Sequence, residues 1–343
     1  MIVNEQKLHT LLRKNTECAV YYFYSTEEYH LRKASAQILH TLTQQTGEDS
    51  TVVEGPVPSM EEVILAAGTI SFFGTKRVVE LPFVQPSAFS DKELKEFCEL
   101  LKSTENAVFV ITTLVADEKA RSGKCLQTFA KEMEQLGLSV EIAPLGSSEL
   151  VDFVINRAKE LDTQIEPGPA KALIERCGTD LYLLEAELQK LAAASGYGAI
   201  TAQLISEMAV RNVDADVFDM VRLVQAGRKV EVFRRLEQLL EQQNDPIAIA
   251  AALTGSYVDL YRVKLAQTVR KNYSHVHKDF GYKGSDWRLK KASEAASRLK
   301  LEQLEEILNI LTQLDTQLKS APTDKGILLQ AALASMIQAG GRR

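Results

Sequence analysis

The sequence has few cysteines and no long apolar run. Its four cysteines lie far apart and form no CxxC pair: Cys18, Cys98, Cys125 and Cys177. This spacing argues against a disulfide framework or a zinc site and predicts free thiols in a reducing compartment. No apolar stretch approaches the roughly 20 residues of a membrane span, and the first residues lack a signal-peptide core. We therefore expect a cytoplasmic protein that does not cross a membrane.

The sequence also lacks an excess of positive charge. Its formal net charge is −6, which argues against a protein that binds DNA tightly on its own. Hydrophobic residues make up 45% of the chain and charged residues 25%, as in ordinary soluble proteins, and 343 residues predict two or three domains. The charge is uneven, because residues 262–300 hold eleven Lys or Arg against three acidic residues.

A phosphate-binding loop is missing where an α/β nucleotide-binding protein would have one. The turn after the first central strand reads Ser25-Thr26-Glu27-Glu28, without glycine or lysine and with two carboxylates that would repel phosphate. The Gly123-Lys124 pair is followed by Cys125, where a P-loop has Ser or Thr. We therefore expect no ATP binding in the usual mode.

Other catalytic patterns are absent too. The sequence has no HExxH and no GxSxG. His275 and His277 fall in a predicted polar loop over residues 272–285, where solvated histidines are commoner than metal ligands. We expect no intrinsic catalytic site, no metal and no cofactor.

Strands and helices alternate over residues 1–143. A first amphipathic helix is expected over residues 1–15, and apolar runs predict strands at 18–24, 51–54, 78–82, 107–112 and 138–142. This alternation predicts a parallel α/β domain. From residue 144 onward the strand signals stop. The pattern then predicts a small helical module up to residue 212, followed by helices at 217–226, 230–241, 246–269, 286–299 and 301–320 and a last one after residue 322.

The stretch Ile70-Ser71-Phe72-Phe73 follows a predicted helix over residues 60–68, on which Met60, Val63, Ile64 and Ala67 share one face. Two consecutive helical positions do not share a face, so at least one phenylalanine ring points away from the core stripe. That ring either tucks under the next strand or forms an exposed apolar plug for a partner protein.

The basic stretch at 262–300 also allows two interpretations. Its aromatic residues among cations can stack on bases and contact phosphates, with Arg288, Lys290 and Lys291 as the candidate DNA contacts. The alternative is a solvated helix face beside a loop, anchored by Trp287.

Several stretches, in this order, resemble the delta subunit of bacterial DNA polymerase III, a subunit of the sliding-clamp loader. They lie at residues 22–32, 71–79, 178–181, 187–191, 217–221, 246, 314–315 and 319. The resemblance covers essentially the whole chain, and it rests on the order and spacing of these stretches together.

The resemblance implies a degenerate AAA+-like α/β domain over residues 1–143, a small helical lid domain over 144–212 and an all-α collar domain over 213–343. It implies a DNA polymerase III holoenzyme subunit that binds and opens the beta sliding clamp without binding ATP. Its partners would be the clamp, the tau/gamma and delta prime subunits, and DNA in the assembled complex.

Carried over by position, the clamp-binding residues are Ile70, Ser71, Phe72 and Phe73, and the degenerate nucleotide loop is Ser25 to Glu28. Thr69 stands where clamp-binding peptides usually have glutamine. The competing hypotheses are an active ATPase, and a helical DNA-binding or adaptor protein that uses the 262–300 stretch.

Overall fold

The computed structural model describes residues 2–3, 11, 18–68, 76–282, 284–297 and 299–340. The chain divides into two compact units. The first comprises residues 1–145 together with 281–284, and the second comprises residues 146–280 and 285–343.

The first unit is built on a six-stranded sheet in which every pairing is parallel. Its strands are β1 (Ile2–Val3), β2 (Val20–Ser25), β3 (Thr51–Val52), β4 (Arg77–Leu81), β5 (Ala107–Leu114) and β6 (Gly137–Ile142). They lie in the order β1-β6-β2-β5-β4-β3, so β2 and β5 are central. The helices are α1 (Glu28–Thr46), α2 (Met60–Gly68), α3 (Asp91–Ser103), α4 (Glu118–Arg121) and α5 (Lys124–Leu136).

The apolar runs of β2 and β5 become central strands because both of their faces are covered. Tyr22 and Phe109 belong to the core cluster on one face, with α3 and α5, whereas Tyr21 and Val110 belong to the cluster on the other face, with α1. At Gly137 a Cβ atom would meet the carbonyl oxygen of Val20 at 2.2 Å, so the entry into β6 requires glycine.

The second unit is helical apart from a two-stranded parallel sheet formed by β7 (Gln164–Ile165) and β8 (Ala199–Ile200). Its helices are α6 (Ser147–Glu160), α7 (Pro167–Cys177), α8 (Leu181–Ala194), α9 (Ala202–Met208), α10 (Val213–Gln225), α11 (Lys229–Glu241), α12 (Pro246–Thr268), α13 (Tyr273–Asp279), α14 (Trp287–Ala296), α15 (Leu301–Ser320) and α16 (Lys325–Gly340).

Helix α15 packs against helices of the same chain. Its Leu304, Ile307, Leu311, Leu314 and Leu318 are buried at spacings of three and four residues, and it contacts α12 and α16. The regular spacing of these leucine and isoleucine residues is therefore accounted for by packing within this unit.

The predicted architecture, an α/β domain with a parallel sheet followed by helices, is confirmed. Two expectations at the level of elements are wrong. Residues 2–3 form a strand instead of the start of a helix, because they pair with Glu141 and Ile142 of β6. Residues 273–279 form α13 within the predicted polar loop, because Val276 is buried and Asn272 caps the helix. The three-domain boundaries at 143/144 and 212/213 stay predictions.

Candidate functional site

The four predicted clamp-binding residues, Ile70, Ser71, Phe72 and Phe73, lie outside the described residues. The structure describes the two elements on either side of them in the chain. Helix α2 ends at Gly68 just before this segment, and strand β4 begins at Arg77 just after it.

Helix α2 buries small residues and exposes large ones. Val63, Ala66 and Ala67 are buried in the core cluster under the sheet, with Met60 packed partly against it. Leu65 is 73% exposed and Ile64 is 53% exposed. The prediction that Ile64 lies on the buried face is therefore wrong, since the i, i+3, i+4 stripe from Val63 continues through Ala66 and Ala67. Two adjacent large apolar side chains face solvent just before the predicted plug.

Strand β4 begins immediately after the described sequence resumes at Lys76, and it is firmly anchored. Val78, Val79 and Leu81 are buried, and every residue of the strand pairs with β5. Arg77 forms an ion pair with Glu48, and its backbone N–H donates to the carbonyl oxygen of Asn106 at 2.9 Å. Strand β4 is thus fixed in the sheet along its whole length.

The predicted degenerate nucleotide loop, Ser25 to Glu28, connects β2 with α1. Ser25 is buried, and its Oγ accepts a hydrogen bond from the backbone N–H of Glu27 at 3.0 Å. Glu27 is the N-cap of α1 and Glu28 its first residue, and Glu28 also forms an ion pair with Arg32 at 2.7 Å. Thr26, between Ser25 and Glu27 in the chain, is partly exposed. A helix N-terminus normally attracts phosphate, but this one carries two carboxylates of its own.

More acidic character lies at the same ends of the neighbouring strands. Tyr24 pairs with Glu141 in the sheet register, and the buried Glu141 lies 3.2 Å from the guanidinium of Arg121. Burial raises the pKa of Tyr24 to about 12, and the negative charge of Glu141 and its hydrogen bond with the phenol add to the shift. In parallel sheets, ligands bind at the carboxyl ends of the strands.

A hydroxyl network near this edge was not foreseen from the sequence. The hydroxyl of Tyr22 donates to Oγ1 of Thr113 at 3.0 Å, which donates to the carbonyl oxygen of Val84 at 2.7 Å. The backbone N–H of Phe83 donates to Oγ1 of Thr112 at 2.9 Å. These polar groups belong to otherwise apolar strands. Their hydrogen bonds attach the turn that follows β4 to strand β5. Their role is structural.

Two of the three predicted DNA contacts on α14 bind carboxylates within the helical unit. Nε of Arg288 lies 2.6 Å from the buried carboxylate of Asp259, and Nζ of Lys291 lies 2.5 Å from Glu175. Lys290, between them, is partly exposed. The structure therefore gives Arg288 and Lys291 a role inside the protein, and their contact with DNA stays a prediction.

The helical unit contains a cavity of about 490 Å³ that the sequence did not indicate. Its walls combine Arg211, just before α10, and Asp219 and Arg222 of α10 with Asp180 and Lys291. Arg211 forms ion pairs with Asp219 and with the buried Asp216, which also binds Arg235 at 3.1 Å. Arg211, Asp219 and Arg222 lie close together in the chain, whereas Asp180 precedes α8 and Lys291 belongs to α14, so only packing brings them to the same cavity.

Comparisons with known proteins agree with one another along the chain. A family model described as "DNA polymerase III, delta subunit" matches residues 21–138, and one described as "DNA polymerase III delta subunit, C-terminal domain" matches residues 214–336. The chain is 23% identical over 335 residues to the DNA polymerase III subunit delta of Bacillus subtilis (strain 168), covering 95% of each chain.

A second relative, the probable DNA polymerase III subunit delta of Aquifex aeolicus (strain VF5), is 23% identical over 334 residues, covering 96% of this chain and 94% of the relative. Among solved structures, the Bacillus subtilis DNA clamp loader delta protein superposes with a TM-score of 0.70 at 22% identity. That likeness covers 97% of this chain and 99% of the other. The same fold therefore extends over nearly the whole length of both proteins.

Proposed function

Because the chain belongs to the DNA polymerase III delta subunit family, we propose that it binds the beta sliding clamp and opens it during DNA replication. It acts as a part of the DNA polymerase III holoenzyme and has no catalytic site of its own. Its task is mechanical, since it captures the ring and holds an interface apart so that DNA can enter.

The clamp-binding site in this proposal is Ile70, Ser71, Phe72 and Phe73. The observation that carries it is the exposure of Ile64 and Leu65 on α2, which places an apolar surface next to the plug in the chain. Burying two phenylalanine side chains is worth about 3–6 kcal/mol before the costs of binding. A few such side chains suffice for a hot spot.

Opening follows from binding only if the open ring is bound more tightly than the closed one. A ligand shifts a conformational equilibrium by its difference in affinity for the two states, and by nothing else. In this proposal the apolar plug grips the clamp near one dimer interface and favours the ring with that interface parted.

The chain itself does not bind ATP in this proposal. Two carboxylates, Glu27 and Glu28, occupy the helix start where phosphates would lie, and Ser25 is engaged with the backbone of its own loop. ATP is bound by the neighbouring tau/gamma subunits instead, and their ATP binding exposes the clamp-binding segment.

The collar domain, residues 213–343, joins the chain to tau/gamma and delta prime in this proposal. The α/β domain ends at residue 143 and the small helical domain at 212. The assembled complex meets DNA in the cytoplasm. Nothing in the described part of the chain has the length and apolar character of a membrane-spanning helix.

The test is capture of purified beta clamp by the full-length chain, comparing the wild type with the double variant Phe72→Ala, Phe73→Ala. We expect the double variant to lose clamp binding but still assemble with tau/gamma, because the changes lie outside the collar. Phe280→Ala, at an exposed phenylalanine in the helical unit, is the matched control and should bind the clamp normally. Normal capture by the double variant would show that the plug is assigned to the wrong residues.

A further inference from the structure

The cavity of the helical unit places aromatic rings beside cationic side chains. Its volume of about 490 Å³ falls in the range of small-molecule sites. Phe218 of α10 and Trp287 of α14 both line it. The guanidinium carbon of Arg222 lies 5.1 Å from the centre of the Phe218 ring, and Nζ of Lys291 lies 5.5 Å from that of Trp287. All of the lining residues belong to the same compact unit.

The carboxylates in the cavity walls are already engaged by the protein itself. There are four of them: Glu175, Asp180, Asp214 and Asp219. Asp219 forms an ion pair with Arg211, and Glu175 lies 2.5 Å from Nζ of Lys291. Asp180 is the N-cap of α8, and Asp214 lies in the first turn of α10, where the helix dipole favours a negative charge. None of these carboxylates requires a cation from a ligand.

Two arginines in the same walls keep hydrogen-bond donors for a ligand. Arg222 is 52% exposed, and its ion pair within the described residues joins it at 3.9 Å to Asp219, which Arg211 also binds. Nε of Arg176 donates to the carbonyl oxygen of Ala209 at 2.7 Å, and its guanidinium forms no ion pair in the described part of the chain. A guanidinium has five N–H donors, so both arginines can bind a further acceptor.

We propose that this cavity binds an aromatic carboxylate, with the ring of the ligand against Phe218 and its carboxylate on Arg222 and Arg176. The planar fork of an arginine matches a carboxylate through two parallel hydrogen bonds, and aromatic rings attract each other when they pack offset or edge to face. A polyanion suits this cavity less, because its charges would meet the four carboxylates of the walls.

A ligand in this position connects two parts of the helical unit. Arg176 belongs to α7, whereas Phe218 and Arg222 belong to α10. The two helices are already joined, since the backbone N–H of Asn212, just before α10, donates to the carbonyl oxygen of Arg176 at 2.9 Å. The ligand therefore reinforces an existing joint, and its binding to the folded chain should raise the melting temperature.

The single tryptophan of the chain, Trp287, lies in the cavity wall and can report binding. The full-length protein is titrated with phenylpropionate, and tryptophan emission is recorded with selective excitation. We expect a saturable change with a dissociation constant of about 4 mM, from the usual affinity per non-hydrogen atom. Phenylpropionamide, which keeps the ring but not the charge, should bind about 10-fold more weakly.

Two variants test the two halves of the site. Arg222→Gln should weaken phenylpropionate binding by about 10-fold, the low end for a hydrogen bond between charged groups, because this arginine is half exposed. Phe218→Leu keeps an apolar side chain without the ring and should weaken binding by about 2- to 10-fold. Arg234→Gln, at an exposed arginine of α11 outside the cavity, is the matched control and should bind like the wild type.

The same chemistry occurs in a free aromatic acid and in an aromatic residue at the end of a peptide. Acetyl-Gly-Gly-Phe, with a free carboxylate, distinguishes these sources. Tighter binding of this peptide than of phenylpropionate assigns the site to a peptide end, and weaker binding assigns it to a free acid. Either result supports an aromatic carboxylate as the ligand.

Three results would overturn this proposal, which does not depend on clamp binding. The first is that phenylpropionate at about 50 mM, more than ten times the expected dissociation constant, changes neither the Trp287 emission nor the melting temperature. The second is equal binding of the amide and the acid. The third is normal binding by Arg222→Gln and by Phe218→Leu when the unliganded variants melt like the wild type, since the ligand would then lie elsewhere.

Discussion

Buried carboxylates in the helical unit are neutralised by ion pairs with arginine and lysine side chains. Asp259 is only 4% exposed as a side chain, and Nε of Arg288 lies 2.6 Å from it. A buried charge without a partner is costly, so the partner of such a carboxylate is a structural residue. The same reasoning applies to Asp216, which binds Arg211 and Arg235.

This arrangement predicts different effects for two neighbouring cations on α14. Arg288→Ala should lower the free energy of unfolding by about 3 kcal/mol, the lower end of the range for a broken buried pair, because the arginine itself is half exposed. Lys290→Ala should change stability by less than about 0.5 kcal/mol, as for an ordinary surface substitution. Urea unfolding of the three proteins measures both values. Equal stability of the two variants would mean that Asp259 does not depend on Arg288.

The raised pKa of Tyr24 predicts that the free energy of unfolding depends on pH in the alkaline range. Burial, with the nearby charge of Glu141, raises the pKa of Tyr24 from 10.0 to about 12. The folded chain therefore holds this proton more tightly than the unfolded chain does. The stabilising contribution is complete below pH 10 and is lost as the pH rises from about 10 to 12.

Tyr24→Phe removes this titration, so its free energy of unfolding should fall less steeply than that of the wild type above pH 10. Urea unfolding between pH 8 and 11 measures the difference, and Tyr197→Phe, at an exposed tyrosine, controls for the loss of a hydroxyl. Parallel curves for Tyr24→Phe and the wild type would contradict the assignment.

At the scale of elements, the start of α1 explains why we expect the chain not to use ATP itself. Glu27 and Glu28 place negative charge at the helix end that binds phosphate in nucleotide-binding proteins. A ligand at one hundred times its dissociation constant stabilises a protein by about 2.7 kcal/mol. ATP with magnesium at millimolar concentration should therefore leave the melting temperature of the isolated chain unchanged, and a rise of several degrees would show a functional nucleotide site.

The sequence predicts most accurately those elements whose apolar pattern fits only one type of secondary structure. The apolar runs of β2 and β5 predict buried central strands, and the leucines of α15 predict a buried helix face, because periodicity and length agree there. Helix α2 is short and apolar on several sides, so its pattern did not reveal that Ile64 faces solvent while Ala66 is buried. Helix α13 was hidden because its seven residues contain one buried apolar side chain.

Contacts between distant residues could not be predicted in this way. The Arg288–Asp259 pair joins residues 29 apart, and Arg262 meets Phe280 only because α13 folds back against α12. The composition of the sequence reveals the basic stretch. Which of its lysine and arginine side chains bind carboxylates depends on how the helices pack. The proposed clamp-binding segment rests on resemblance to a family and on its place in the chain between a helix and a strand.

At the scale of the whole molecule, the chain combines an α/β unit that carries the proposed clamp-binding segment with a helical unit that carries the proposed subunit contacts. In the proposed function, the work of opening the clamp is done by binding energy. Disruption of one unit's surface should therefore leave the binding partners of the other unaffected.

The central claim is that the chain opens the clamp, and release of a closed ring from circular DNA tests it most directly. A beta clamp linked topologically to a nicked DNA circle leaves it only when the ring opens. We predict that adding the full-length chain without ATP speeds this release, and that the variant Phe72→Ala, Phe73→Ala does not. Release at the rate of buffer alone, with the wild-type chain bound to the clamp, would contradict the account.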